Sequence, residues 1–318
     1  MYIFVTIITI NINSLIVRNM KKLSIVFFAL LISVSISAET LKPYVLGAVC
    51  SKSLTEAKAL VKKNLKEAGF NILGEYKPAN DANRWLIVVS NSELINAVKN
   101  EGGLRGFAAS LRVALTIENS VVNVTYTNPY YWGNAYFGDD FPKVAAHYNK
   151  VNSQFIAAMK KSGVYKGTSF GSGKGVELDD VRDYQYMFGM PEFDDVVELA
   201  EFDSYTAAKA KIENNLKNGI SGLKLVYSIE IPGSKLKLYG IALTGAKGEN
   251  EFLPTIDLGS PKHTAFLPYE ILVKDDEVVM LHGRYRIALA FPDLAMSTFS
   301  KIMSTPGNIE DAMKKACE

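Results

Sequence analysis

The 318-residue chain is 48% apolar and 21% charged. A chain of that length and balance can bury the cores of two domains and is not a disordered polymer. Its 35 bases and 33 acids leave a formal charge of +2, which excludes the basic surface a nucleic-acid binder needs.

The N-terminus has its own organisation. Met20-Lys21-Lys22, the apolar run Leu23 to Val34 and the small-residue stretch Ser35-Ile36-Ser37-Ala38 are the three parts of a secretory signal peptide. Cleavage is expected after Ala38, or after Ser37 because Ile36 is large for its place. Residues 1–19 read as an upstream extension, so translation starts at Met1 or at Met20. A membrane anchor is the other reading of residues 1–38, and Asn11, Asn13, Arg18, Lys21 and Lys22 interrupt it. Cleavage removes three bases and no acid, leaving 32 bases against 33 acids and a charge of −1. The expected product is periplasmic or secreted, and no longer a membrane protein.

The first repeat is expected over residues 39–162. Tyr44 to Cys50 reads as a strand. Ser53 and Glu56 form a capping box that starts a helix, whose apolar Leu54, Ala57, Val61, Leu65 and Ala68 share one face. Gly69 ends it, and Phe70 to Tyr76 is a strand. A polar turn from Pro78 to Asn83 leads to the strand Arg84 to Ser90, then a short helix from Ser92 to Asn100 that ends at Gly102-Gly103. Arg105 to Glu118 and Val121 to Thr127 form a hairpin around Asn119-Ser120. Asn128 to Gly138 reads as a connection, and a helix from Pro142 to Lys161 closes the repeat.

A linker is expected over residues 163–193, and its apolar Tyr184 to Pro191 implies that the flanking repeats pack together. The second repeat, residues 194–318, repeats the order: a strand from Asp194 to Phe202, a helix from Ser204 to Asn218, a hairpin from Leu223 to Thr244 around Pro232-Gly233, strands Thr264 to Lys274 and Val278 to Ala288, and closing helices from Leu294 to Met303 and from Asn308 to Cys317. At a shift of 151, seven of the thirteen residues from Leu54 to Lys66 recur, Thr55 and Ala57 on Thr206 and Ala208 among them. Leu115 to Val122 matches Leu272 to Val279 at a shift of 157. A period that long means two domain-sized units. The fold class is α+β, two related repeats, each an antiparallel sheet with helices on one face, paired as an internal pseudo-dimer.

These residues carry a family likeness. The run SKSLTEAKALVKKNLKEAGFNILGEY, a short helix, and the hairpin LPYEILVKDDEVVMLHG before a terminal helix resemble the domain of unknown function 302 family. The resemblance implies a tandem of two compact α+β domains and no established activity. Leu267-Pro268 keeps the family's Leu-Pro, which Ser110-Leu111 replaces in the first repeat, while Asn218-Gly219-Ile220 departs from its Gly-Phe.

Candidate sites are few. Tyr130, Tyr131, Trp132, Tyr136 and Phe137 crowd one stretch and can line a groove for an apolar or ring-bearing ligand; they can equally cover a sheet or pack on the other repeat. Cys50 and Cys317 can pair in an oxidising compartment or stay as buried thiols. Residues 167–175, GTSFGSGKG, miss the spacing and the hydroxyl of a phosphate loop. His147, His263 and His282 lack ligand spacing, His282 being expected opposite Tyr269 and His263 opposite Ala288, and adjacent acids such as Asp139-Asp140 read as solvated turns. We expect no cofactor and no metal. The chemistry points to an exported, non-catalytic binding protein for a small apolar or aromatic ligand or an envelope protein; a soluble periplasmic enzyme with an unrecognised active site is the alternative. An aromatic pocket holding a titratable group of strongly shifted pKa would favour the enzyme.

Overall fold

Two large antiparallel sheets of like construction dominate the molecule, beside a two-stranded ribbon of residues 40–41 and 176–177. A computed structural model describes residues 39–318; the stretch expected to hold a signal peptide and an upstream extension, residues 1–38, lies outside the described residues. Among those described, no helix is long and apolar enough to cross a membrane.

The first half contributes strand β1 (Tyr44–Cys50), helix α1 (Leu54–Glu67), β2 (Asn71–Tyr76), β3 (Arg84–Ser90), α2 (Ser92–Glu101), β4 (Leu111–Glu118), β5 (Val121–Thr127), α3 (Pro129–Phe137), α4 (Phe141–Lys160) and β6 (Val164–Phe170). Its sheet runs β2-β3-β4-β5-β1-β6. Ser53 accepts from the Glu56 amide while the Glu56 carboxylate takes the Ser53 amide, the reciprocal cap that starts α1. α1 and α2 pack against α4 to form one helical layer. In β3 and β4 nearly every residue is buried, because both faces of the sheet are covered.

The second half contributes β7 (Val196–Glu201), α5 (Tyr205–Asn218), β8 (Leu223–Glu230), β9 (Leu236–Leu243), α6 (Glu249–Ile256), β10 (Tyr269–Lys274), β11 (Glu277–Leu281), α7 (Gly283–Ala290) and α8 (Thr305–Lys314). Its sheet runs β8-β9-β10-β11-β7. In chain order and in spatial order, these five strands correspond to β2-β3-β4-β5-β1. Residues 40–318 make one compact unit.

Several elements differ from the expectation. Residues 164–170 are not linker: β6 pairs with β1, Tyr44 facing Phe170 and Val49 facing Val164. Residues 103–109 and 264–266 are 3₁₀ segments rather than the starts of strands. Each crosses to the other half, the first packing on β9 and β10 and the second on β4 and β5. The strand expected to run on to Ala288 stops at Leu281, and α7 follows. α6 was not foreseen. The two hairpins turn at Asn119-Ser120 and at Asp275-Asp276, with Glu118 facing Val121 and Lys274 facing Glu277. Their true offset is 156, not 157.

Candidate functional site

The aromatic stretch folds as a helix. Asn128 accepts from the Tyr130 amide, Pro129 takes the first helical position, and α3 runs to Phe137. Tyr131, Trp132, Tyr136 and Phe137 are buried, and Tyr130 is half-buried with its hydroxyl on Asn149 at 2.8 Å. Their rings are turned inward, and two hydrogen bonds tie α3 to α7 of the other half. The Tyr131 hydroxyl donates to the Leu289 carbonyl at 2.9 Å, and the Tyr285 hydroxyl donates to the Ala135 carbonyl at 3.3 Å. Tyr131 stands 154 residues before Tyr285 and Ala135 stands 154 before Leu289, so the contact is reciprocal. His282, 154 residues after Asn128, caps α7 by accepting the Arg284 amide at 3.1 Å; the β10–β11 register is the one expected, but β11 ends at Leu281, just before it. Burial, which disfavours the imidazolium, holds its pKa below the usual histidine range. His263 stacks on Phe291 and lies 3.2 Å from the Ala290 carbonyl rather than opposite Ala288.

Beneath α3 lies a closed polar cluster. Arg112 of β4 and Tyr227 of β8 donate to one oxygen of Glu270 of β10, and Arg286 of α7 lies 3.5 Å from the other. The Arg286 guanidinium sits 4.8 Å from the Trp132 ring centre and donates to the Phe266 carbonyl at 2.8 Å. All are buried, which makes this cluster a clasp between the halves rather than a place a ligand reaches.

A cleft of about 610 Å³ opens where the halves meet. Its walls come from the end of β2 (Glu75, Tyr76, Lys77), Trp85 of β3, Lys224 of β8, the end of β9 and the start of α6. Edge strands β2 and β8 pack together so closely that a methyl group on Gly74 would overlap the Val226 carbonyl oxygen. At the inner end Glu249 is buried. One of its oxygens accepts from the Tyr76 hydroxyl at 2.8 Å and the Leu243 amide at 3.2 Å, the other from the Ala79 amide at 2.9 Å. Burial pushes its pKa up to about 7, against the pull of these three donors. Ala79 and Asn80 hold left-handed backbone at the lip, φ 52° and 55°. Trp85 donates its ring N–H to Glu75 at 2.9 Å and carries the Lys58 ammonium 3.7 Å from its ring centre. Burial raises the Glu75 pKa, but bonds from Lys62 and Trp85 outweigh it and hold the carboxyl below its usual range. Lys77 and Lys224 are exposed and, among the described residues, belong to no ion pair.

None of these cleft residues was legible as a site. Glu249 meets Tyr76 across 173 positions of chain, and no local pattern marks either. Among the described residues no group of His, Cys, Asp and Glu converges as a metal would require. Cys50 and Cys317 are buried free thiols, the second of the two states the sequence leaves open to them. Cys50 ends a central strand of the first sheet, whereas Cys317 follows α8 in the second half, and burial pushes its thiol up to about 11.

No family model matches the chain, and no curated protein matches it. A solved structure described as an uncharacterized conserved protein DUF302 from Bacillus stearothermophilus is similar over 37% of this chain and 97% of its own, with 16% sequence identity and a TM-score of 0.33.

Proposed function

We propose that the chain is an exported, non-catalytic binding protein that holds a small, ring-bearing anion in the cleft between its halves. The observation that carries this reading is that Lys77 and Lys224, one from each half, line the same cleft as Trp85 and Tyr76. Unpaired ammonium groups attract an anion, and the aromatic wall offers a flat apolar surface. This replaces the aromatic stretch at 130–137 as the place of binding and adds charge to the ligand. One observation favours the enzyme instead, the Glu249 carboxyl near 7, suited to acid–base work. Three donors already engage its two oxygens, which suits a latch better than a proton carrier.

Trp85 fluorescence tests the reading. Titration with 4-hydroxybenzoate and with uncharged 4-hydroxybenzyl alcohol should change the emission for the acid alone, and Trp85→Phe should abolish the change. Lys77→Ala and Lys224→Ala should each weaken binding about tenfold. A cleft ligand of another class would show as added mass on the purified protein, lost in Trp85→Ala. An unliganded mass together with silent titrations sinks the proposal.

A further inference from the structure

Residues 187–190 form a tight turn, the Met190 amide donating to the Met187 carbonyl at 3.0 Å. It holds Phe188 wholly in solvent, with Met187 46% exposed beside it. Behind the turn, Tyr186, Met190, Ile287, Leu294, Met296 and Phe299 line a shallow apolar pocket, and Met296 is 48% exposed. Tyr186 fixes the rim by donating to the Leu294 carbonyl at 2.8 Å. On its other side Tyr186 also lines a wide cleft that carries Glu177, Asp179, Asp180, Asp183 and Asp293; among the described residues Lys174 is the one base in its lining, and Arg182 lies 3.7 Å from Asp179. Arg284 is the base of the apolar pocket.

We propose that this surface docks a basic amphipathic helix of a partner protein, distinct from the ligand cleft. Unbranched methionines adapt to the side chains of an apolar helix face, and Phe188 supplies a preset anchor. The acidic cleft gives the occupant its sign: a helix whose apolar face covers Phe188 and Met296 sets its flanking bases over the carboxylates. The same acids repel an anionic lipid surface, so a protein partner is favoured over a membrane.

The test is fluorescence anisotropy of the full chain with a labelled helical peptide of leucine and lysine, against its leucine and glutamate counterpart. The lysine peptide should bind, and the glutamate peptide should not. The surface pair Met187→Ser with Phe188→Ser, and the triple Asp179→Asn, Asp180→Asn and Asp183→Asn, should each weaken binding at least about tenfold, while Phe188→Leu retains it. Thermal melts confirm that these exposed changes leave the fold intact. Equal binding of both peptides, unchanged affinity in the variants, or no binding overturns the proposal. So does co-sedimentation with phosphatidylglycerol vesicles that Phe188→Ser abolishes, which would make the turn a lipid anchor.

Discussion

The Tyr76 hydroxyl donates to Glu249 at 2.8 Å, joining the last residue of one edge strand to the first residue of a helix in the other half. Burial and the adjacent carboxylate push the Tyr76 phenol well above its usual range, so it remains a donor wherever the protein is folded. The carboxyl is the group that titrates.

Stability should therefore depend on pH through Glu249. Its folded pKa of about 7 lies above the usual 4.5, so between these values the folded state holds more of the proton than the unfolded chain does. Stability from this group is full below pH 4.5 and falls as pH rises towards 7, by about 3 kcal/mol at most. Urea titrations across that window should show the decline, and Glu249→Gln should flatten it.

The buried clasp is expected to be costly to break. Glu270→Leu leaves Arg112 and Arg286 buried without their shared carboxylate, and should lower the unfolding free energy by about 3–5 kcal/mol in urea. A loss under about 1 kcal/mol would mean that water reaches the guanidiniums.

Gly74→Ala should destabilise by about 1–3 kcal/mol, because a methyl group there meets backbone rather than a movable side chain. Gly106→Ala meets the flexible end of Leu272 and should cost less. Differential scanning calorimetry of the two variants tests the order.

Neither thiol should react readily in the native protein. Cys50 and Cys317 are buried, so maleimide labelling should follow the unfolding rate, and the mass should not change on reduction. Prompt labelling of Cys317 would show that the end of α8 opens locally.

Much of the fold was legible where a segment has two different faces. α1 alternates lysines with a buried stripe, and its box of Ser53 and Glu56 marks its start; β1, β3 and β5 carry their bounds in the chain. α3 was missed because buried residues surround it on every side, so its apolar positions show no helical period, although Asn128-Pro129 is a proper start signal. α7 was missed for the same reason, since Tyr285 to Ala290 are all buried, Arg286 included, and show no exposed face of helical period. The cleft was out of reach altogether. Glu249 is unusual only through Tyr76 and Ala79, which arrive from the other half.

The charged clasp also distinguishes partners that backbone pairing cannot. Two sheets with the same strand order in one chain invite exchange of strands while the chain folds. At the hairpin offset of 156, Pro268 stands where Arg112 does and Ala114 where Glu270 does. A hairpin lodged in the wrong sheet would bury a guanidinium or a carboxylate beside apolar neighbours with no counter-charge. The native assembly brings the opposite charges together, which penalises such an exchange by the cost of a buried, unpaired charge.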